Sequence, residues 1–202
     1  GAAHAPHHAP KDWADKYKGQ FDMGYEAMRE ATLARQKSMG LIPPDTELPP
    51  INPLEAIKGP DGQPFPPVDL TRPWDTLSDE EKRLFARMAE VYAGFLSHAD
   101  HQVGRLLEYL EMSGQRENTM IIVVSDNGAS AEGMLDGTPN EFTTFNGVPV
   151  PVDAQLLWYP FWGSDRTFPH FAAGWAWAMG TPFKWVKQVA SHFGGTAQGL
   201  VM

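Results

Sequence analysis

Met120, Ile121, Ile122, Val123 and Val124, five apolar residues that read as a buried strand, run straight into Ser125, Asp126, Asn127 and Gly128. A carboxylate and a carboxamide offer only oxygen donors, which suit hard cations such as Ca²⁺ or Mg²⁺. The carboxyl end of a strand is also where open α/β folds place their ligands. The same residue types are the ordinary makings of a polar turn, so the local sequence leaves both readings open. Calcium takes about six to eight oxygen ligands, so a cation here would need further carboxylates. A second group is His4, His7 and His8 in "HAPHHAP". The prolines fix an extended backbone, which excludes the i, i+4 pairing of helical metal ligands. These histidines read either as a polar loop or as the source of one proton donor or anion ligand. A third group is Lys184 and Lys187, followed by His192 and Gly194-Gly195. It reads as two solvated lysines or as an oxyanion site, where glycines would let backbone N–H groups approach a charged ligand. His98 and His101, with Asp100 between them, have the look of a metal pair but lie beside the apolar stripe of a helix that already has a packing role.

Helices and one strand must position these groups. Glu26 to Met39 reads as a short helix stopped by Gly40 and by Pro43-Pro44. Residues 41 to 73 are proline-rich and lack periodicity, which predicts a long loop. Ser78 and Glu81 form a capping box. Leu84, Met88, Val91, Phe95, Ala99, Val103, Leu106 and Leu110 then recur at spacings of three and four, the stripe of an amphipathic helix. Gly94 and Gly104 allow a bend within it. A helix, a short connection and an apolar strand make an α/β arrangement, with the strand buried on both faces. Trp158, Tyr159, Phe161, Trp162, Phe168, Phe171, Trp175 and Trp177 crowd one Gly- and Pro-rich segment, either as core beneath long loops or as a pocket wall. The last residues lead through a Gly-Gly turn toward another strand.

Composition narrows the function. The chain has 202 residues, enough for one domain or a large part of one, and 42% of them are hydrophobic, enough for a packed core. A net charge of -9 argues against nucleic acid as a partner, because phosphate binding needs basic surface. Cysteine is absent, which excludes disulfides, thiolate metal sites and a cysteine nucleophile within the chain. No apolar run approaches the roughly 20 residues of a membrane span. The opening "GAAHAPHHAP" and the closing "GLVM" read as cuts through a longer protein, so the chain is expected to be an internal part of one catalytic domain, truncated at both ends. Nothing in it indicates a compartment or an oligomeric state.

Four stretches in order resemble the type I sulfatases, and more narrowly the bacterial arylsulfatases of the alkaline-phosphatase superfamily. "APHHAP" after His4 is similar to the family's Pro-His-x-Pro loop, and "DKYKGQFDMGYEAMREATLARQKSMGLIP" to the segment that follows it. "AEVYAGFLSHADHQVGRLLEYLEMSGQRENTMIIVVSDNGA" resembles the family's helix, turn, strand and metal-binding loop, and "TPFKWVKQVASHFGG" its lysine-bearing segment. The resemblance implies an α/β fold, a mixed sheet flanked by helices, and hydrolysis of a small-molecule sulfate ester. It implies that Asp126 and Asn127 help bind calcium, with magnesium the lesser alternative. It implies that His4 and Lys187 contact the sulfate group or the leaving-group oxygen, and His192 is a further substrate-binding candidate beside them. The family's Cys- or Ser-x-Pro-x-Arg motif, whose first residue becomes the formylglycine nucleophile, does not occur here. The nucleophile is therefore expected outside this chain, and the chain alone is expected to be inactive. The alternatives are a phosphonate monoester or phosphodiester hydrolase of the same superfamily, or a non-catalytic descendant that binds an anion or a partner.

Overall fold

The computed structural model describes residues 3–52, 58–64, 71–197 and 199–202. The expected loop over residues 41 to 73 falls partly on 53–57 and 65–70, which lie outside the described residues. Its described part carries an isolated bridge between Lys58 and Pro64, and the Asn52 side chain is bonded to the Thr71 backbone at 2.9 and 3.0 Å. Seven α-helices are described: α1 (Lys11–Asp15), α2 (Gly24–Ser38), α3 (Asp79–Met112), α4 (Glu141–Phe145), α5 (Val152–Leu156), α6 (Ala173–Met179) and α7 (Phe193–Thr196). Two strands, β1 (Val123–Val124) and β2 (Leu200–Val201), pair antiparallel, with Val123 opposite Val201 and Val124 opposite Leu200.

The capping box forms as the sequence requires. The Ser78 hydroxyl accepts from the Glu81 N–H at 3.2 Å, and Glu81 Oε2 accepts from the Ser78 N–H at 2.8 Å. Helix α3 then runs unbroken through Gly94 and Gly104. Gly94 is there for closeness, since any Cβ would collide with the backbone of Trp13 and Ala14 in α1. The stripe divides in two. Leu84, Met88 and Val91 are fully buried, whereas Val103 and Leu106 stand 46% and 59% exposed.

The core is aromatic. Trp175 of α6 is fully buried among Phe21, Tyr25 and Trp74, with ring centroids 5.5, 5.6 and 5.6 Å away. Its indole N–H donates to the Phe85 carbonyl of α3 at 2.8 Å, so α2, α3 and α6 meet on one side chain. Buried Arg29 of α2 donates to the Pro182 and Phe183 carbonyls at 3.0 and 2.6 Å. Gln36 donates to the Thr181 carbonyl at 3.0 Å. A buried cation aimed at carbonyls just past the carboxyl end of α6 is favourable electrostatically. It fixes the start of the segment that carries Lys187. The aromatic segment divides: Trp162, Phe171, Trp175 and Trp177 are buried as core, while Trp158 and Phe168 line a cleft of about 410 Å³.

One expectation is overturned. The 120–124 run is not a strand buried on both faces: Met120, Ile122, Val123 and Val124 are 80%, 52%, 57% and 59% exposed, and only Val123 and Val124 enter the ladder. Burial on both faces requires neighbouring strands and covering helices. Among the described residues β2 is the sole strand beside β1.

Candidate active site

Three segments far apart in sequence converge. His4 is held by its loop: the His7 N–H donates to the Pro169 carbonyl and the Ala9 N–H to the Gly163 carbonyl, both at 3.1 Å. The His7 ring packs against His170, Tyr92 and Phe171, with centroids 4.6, 4.7 and 4.8 Å away. Lys187 is held by its own N–H, which donates to the Ala129 carbonyl at 2.9 Å. Trp185, at φ 67°, turns the chain between the two lysines in the left-handed region that only glycine enters freely. Lys184 therefore lies exposed while Lys187 is half-buried.

The Lys187 ammonium comes within 2.9 Å of His4 Nε2, and both meet Glu132. Glu132 Oε2 accepts from His4 Nε2 at 2.7 Å, from the Ser130 hydroxyl at 2.8 Å and from Lys187 Nζ at 3.0 Å. One imidazole nitrogen cannot donate to Glu132 and accept from Lys187 with the same site. The chemically consistent arrangement has His4 Nε2–H and the ammonium both donating to the carboxylate. Burial pushes the Glu132 carboxyl up, but the Ser130 hydroxyl, Lys187 and His4 together hold it below its ordinary value.

Behind this triad lie groups of the opposite character. His170 Nε2 is 3.1 Å from the Ser130 hydroxyl and 4.0 Å from Glu141 Oε1. Burial drives the His170 imidazole down to about 4 and pulls His7 well below its usual value. Burial also raises the Glu141 carboxyl. His4, Glu132 and Glu141 offer ligand atoms within 4.8 Å of one another. The Lys187 ammonium already sits against two of the three, so a metal ion there would face a like charge.

A pH prediction follows. An imidazole whose folded value lies below its unfolded value of about 6.5 takes up its proton preferentially when unfolded, so stability is lost as pH falls from about 6.5 toward 4. For His170 the full effect is on the order of 3 kcal/mol, reached only at the bottom of that window. His7 adds in the same direction, and Glu141 offsets part of it. Urea unfolding at pH 7 and pH 5 should show lower stability at pH 5, before the depressed carboxylates of Asp15 and Glu81 begin to protonate. His170→Gln should flatten the slope. Equal stability at the two pH values would contradict neutral burial.

The strand ends where the sequence places it. Ser125 N–H donates to the Gly199 carbonyl at 3.3 Å, and Asp126 and Asn127 then leave the ladder, the first exposed and the second half-buried. Asn127 Nδ2 donates to the Gly128 carbonyl at 2.9 Å, which turns its Oδ1 the other way. A carboxylate and an amide oxygen are donors that suit a hard cation better than a soft one. Gly128 N–H donates to the Gly195 carbonyl at 3.0 Å, and a Cβ on Gly128 would strike the Gly194 carbonyl. The loop of Asp126 and Asn127 is therefore clamped to the segment that follows Lys187.

One expectation is corrected. His192 is not brought to the His4–Lys187 pair: it packs on Trp185 at 6.0 Å and lines a separate cleft of about 490 Å³ with Lys184, Pro182 and Glu47. The Gly194 and Gly195 N–H groups donate to the Lys184 and His192 carbonyls at 2.9 and 3.0 Å. They are spent on the fold and cannot cradle an anion. His98 and His101 both pack on Trp13, with ring centroids 5.4 Å away in each case. The sequence reading missed Ser130, Glu132, Glu141 and His170. No spacing rule reaches them, and the nearest signal is Glu132 lying six residues after Asp126 in the same polar loop.

The sequence pattern of the Sulfatase family matches residues 1–201. The chain belongs to this family. The sulfatase domain has the alkaline-phosphatase-like α/β fold, and the helices and small sheet described above are consistent with part of it. An arylsulfatase of Klebsiella aerogenes is 28% identical over 196 residues, 96% of this chain and 36% of its own length. An uncharacterized sulfatase of Schizosaccharomyces pombe is 36% identical over 138 residues, 68% of this chain and 22% of its own length. An arylsulfatase of Clostridium perfringens is 33% identical over 107 residues, 46% of this chain and 21% of its own length. The chain thus spans about a third or less of each relative. Sulfatases act on sulfate esters, and family membership supports hydrolase chemistry at that level. Among the described residues no helix is long and apolar enough to cross a membrane.

Proposed function

We propose that this chain is the internal part of a single arylsulfatase-like catalytic domain and carries its sulfate-facing half. The observation that supports this best is the meeting of His4 and Lys187, 183 residues apart, with their nitrogens 2.9 Å from one another. Two donors from a half-buried corner suit a sulfate group: Lys187 neutralises the non-bridging oxygens, and His4 is placed to give a proton to the departing alcohol or phenol. Glu132 keeps both side chains extended toward one point. Asp126 and Asn127 supply two of the oxygen ligands for calcium, which would lend its positive charge to the sulfate oxygens. The remaining ligands and the formylglycine nucleophile belong to polypeptide outside these residues, and the chain by itself should not turn over. The phosphonate and phosphodiester hydrolases of the same superfamily, and a non-catalytic anion binder, are the competing readings.

The test uses the complete polypeptide. It should release phenol from an aryl sulfate and hold calcium by elemental analysis, with activity lost on chelation and restored by added calcium. The isolated 202-residue chain should release none. Two equivalents of tight zinc with no calcium, or preference for a phosphodiester over the sulfate ester, would overturn the assignment.

A further inference from the structure

We infer that Glu132 is a positioning residue for the His4–Lys187 pair, which its carboxylate draws together from opposite ends of the chain. The inference rests on the reading above that this pair faces the substrate anion. Its ground is geometric. Glu132 Oε2 lies 2.7 Å from His4 Nε2 and 3.0 Å from Lys187 Nζ, and Oε1 lies 3.3 Å from the same ammonium. It is the acceptor that both donors share.

The carboxylate is itself held. The Ser130 hydroxyl contacts Oε2 at 2.8 Å and the Glu132 N–H at 3.3 Å. Ala131 N–H donates to Gln188 Oε1 at 3.2 Å, so the residue after Lys187 grips the residue before Glu132. Gly133 follows, where a Cβ would collide with the Phe171 carbonyl. The backbone on either side of Glu132 is thus fixed before any ligand arrives.

A negative group beside two donors has two effects on an incoming anion. It orients the donors, which favours the transition state, and it repels the anion, which weakens ground-state binding. Binding that is weaker in the ground state and better aligned in the transition state raises kcat rather than lowering KM. Misplacement of a reacting group by about 1 Å can cost 10²-fold in rate.

Glu132→Gln and Glu132→Asp in the complete enzyme separate these effects. The glutamine variant should lower kcat by about 10- to 100-fold while KM and the Kd for inorganic sulfate stay level or fall. The aspartate variant keeps the charge and should recover part of kcat. It also guards against a glutamine variant that fails to fold. Unchanged kcat in Glu132→Gln beside an inactive Lys187→Ala overturns the positioning role and leaves the sulfatase reading standing. Unchanged kcat with KM and sulfate Kd lowered tenfold would mean that Glu132 masks the site, which also overturns it. If neither Glu132→Gln nor Lys187→Ala alters turnover or sulfate binding, the reading of the pair falls and this inference with it.

Discussion

Lys187→Ala should cost the complete enzyme about two to three orders of magnitude in kcat/KM, while Lys184→Ala leaves it near wild type. The lysines are three residues apart on one short segment, and the family resemblance points to Lys187 alone. Their surroundings differ. Lys187 is half-buried, with its ammonium against Glu132 and His4, and its N–H anchors the loop that follows Asp126 and Asn127. Lys184 is exposed at the rim of the other cleft. A charged donor lost from the point where transition-state charge develops removes stabilisation that solvent does not fully replace, whereas an exposed lysine typically costs about half a kcal/mol or less. Steady-state kinetics on an aryl sulfate, with circular dichroism to establish folding, decides it. If the two variants swap behaviour, Lys184 is the ligand. If neither matters, this corner does not meet the sulfate.

Trp175→Ala should destabilise the fold by about 3 to 5 kcal/mol, the range for truncating a large aromatic in a packed core. The side chain is fully buried at the meeting of α2, α3 and α6 and ring-packed on three sides. Its removal also leaves the Phe85 carbonyl without its indole donor. Trp175→Phe keeps most of the ring and loses the hydrogen bond, for a cost of about 1 to 2 kcal/mol. Trp158→Ala, at a side chain 40% exposed, is the control and should fall within about half a kcal/mol. Urea unfolding of the three variants ranks them. A Trp158 change as costly as the Trp175 change would mean the core is misplaced.

Features that depend on near neighbours in the chain were legible in the residues alone. The Ser78–Glu81 box and the stripe from Leu84 fix α3, because caps and helical periodicity depend on neighbours a few residues away. The strand end at Val124, with Asp126 and Asn127 just beyond it, was legible for the same reason. The family was legible because four stretches recur in order, and the Sulfatase pattern over residues 1–201 agrees.

Contacts between distant segments became visible only in the folded chain. Arg29 and Gln36 anchor the segment that leads to Lys187, and His7 packs the loop of His4 against the core, which brings the two within reach of Glu132. A pairing across 183 residues leaves no trace in local spacing. Glu132 was invisible for that reason: a glutamate in a polar loop becomes a shared acceptor only when two donors are delivered to it. Gly194 and Gly195 left an anion cradle and a structural turn open in the sequence, and the Lys184 and His192 carbonyls, which take their N–H groups, make them structural. The run from Met120 to Val124 shows the limit from the other side. Apolar side chains state a need for cover on both faces, and whether cover exists depends on what lies alongside, where β2 is the one neighbouring strand among the described residues.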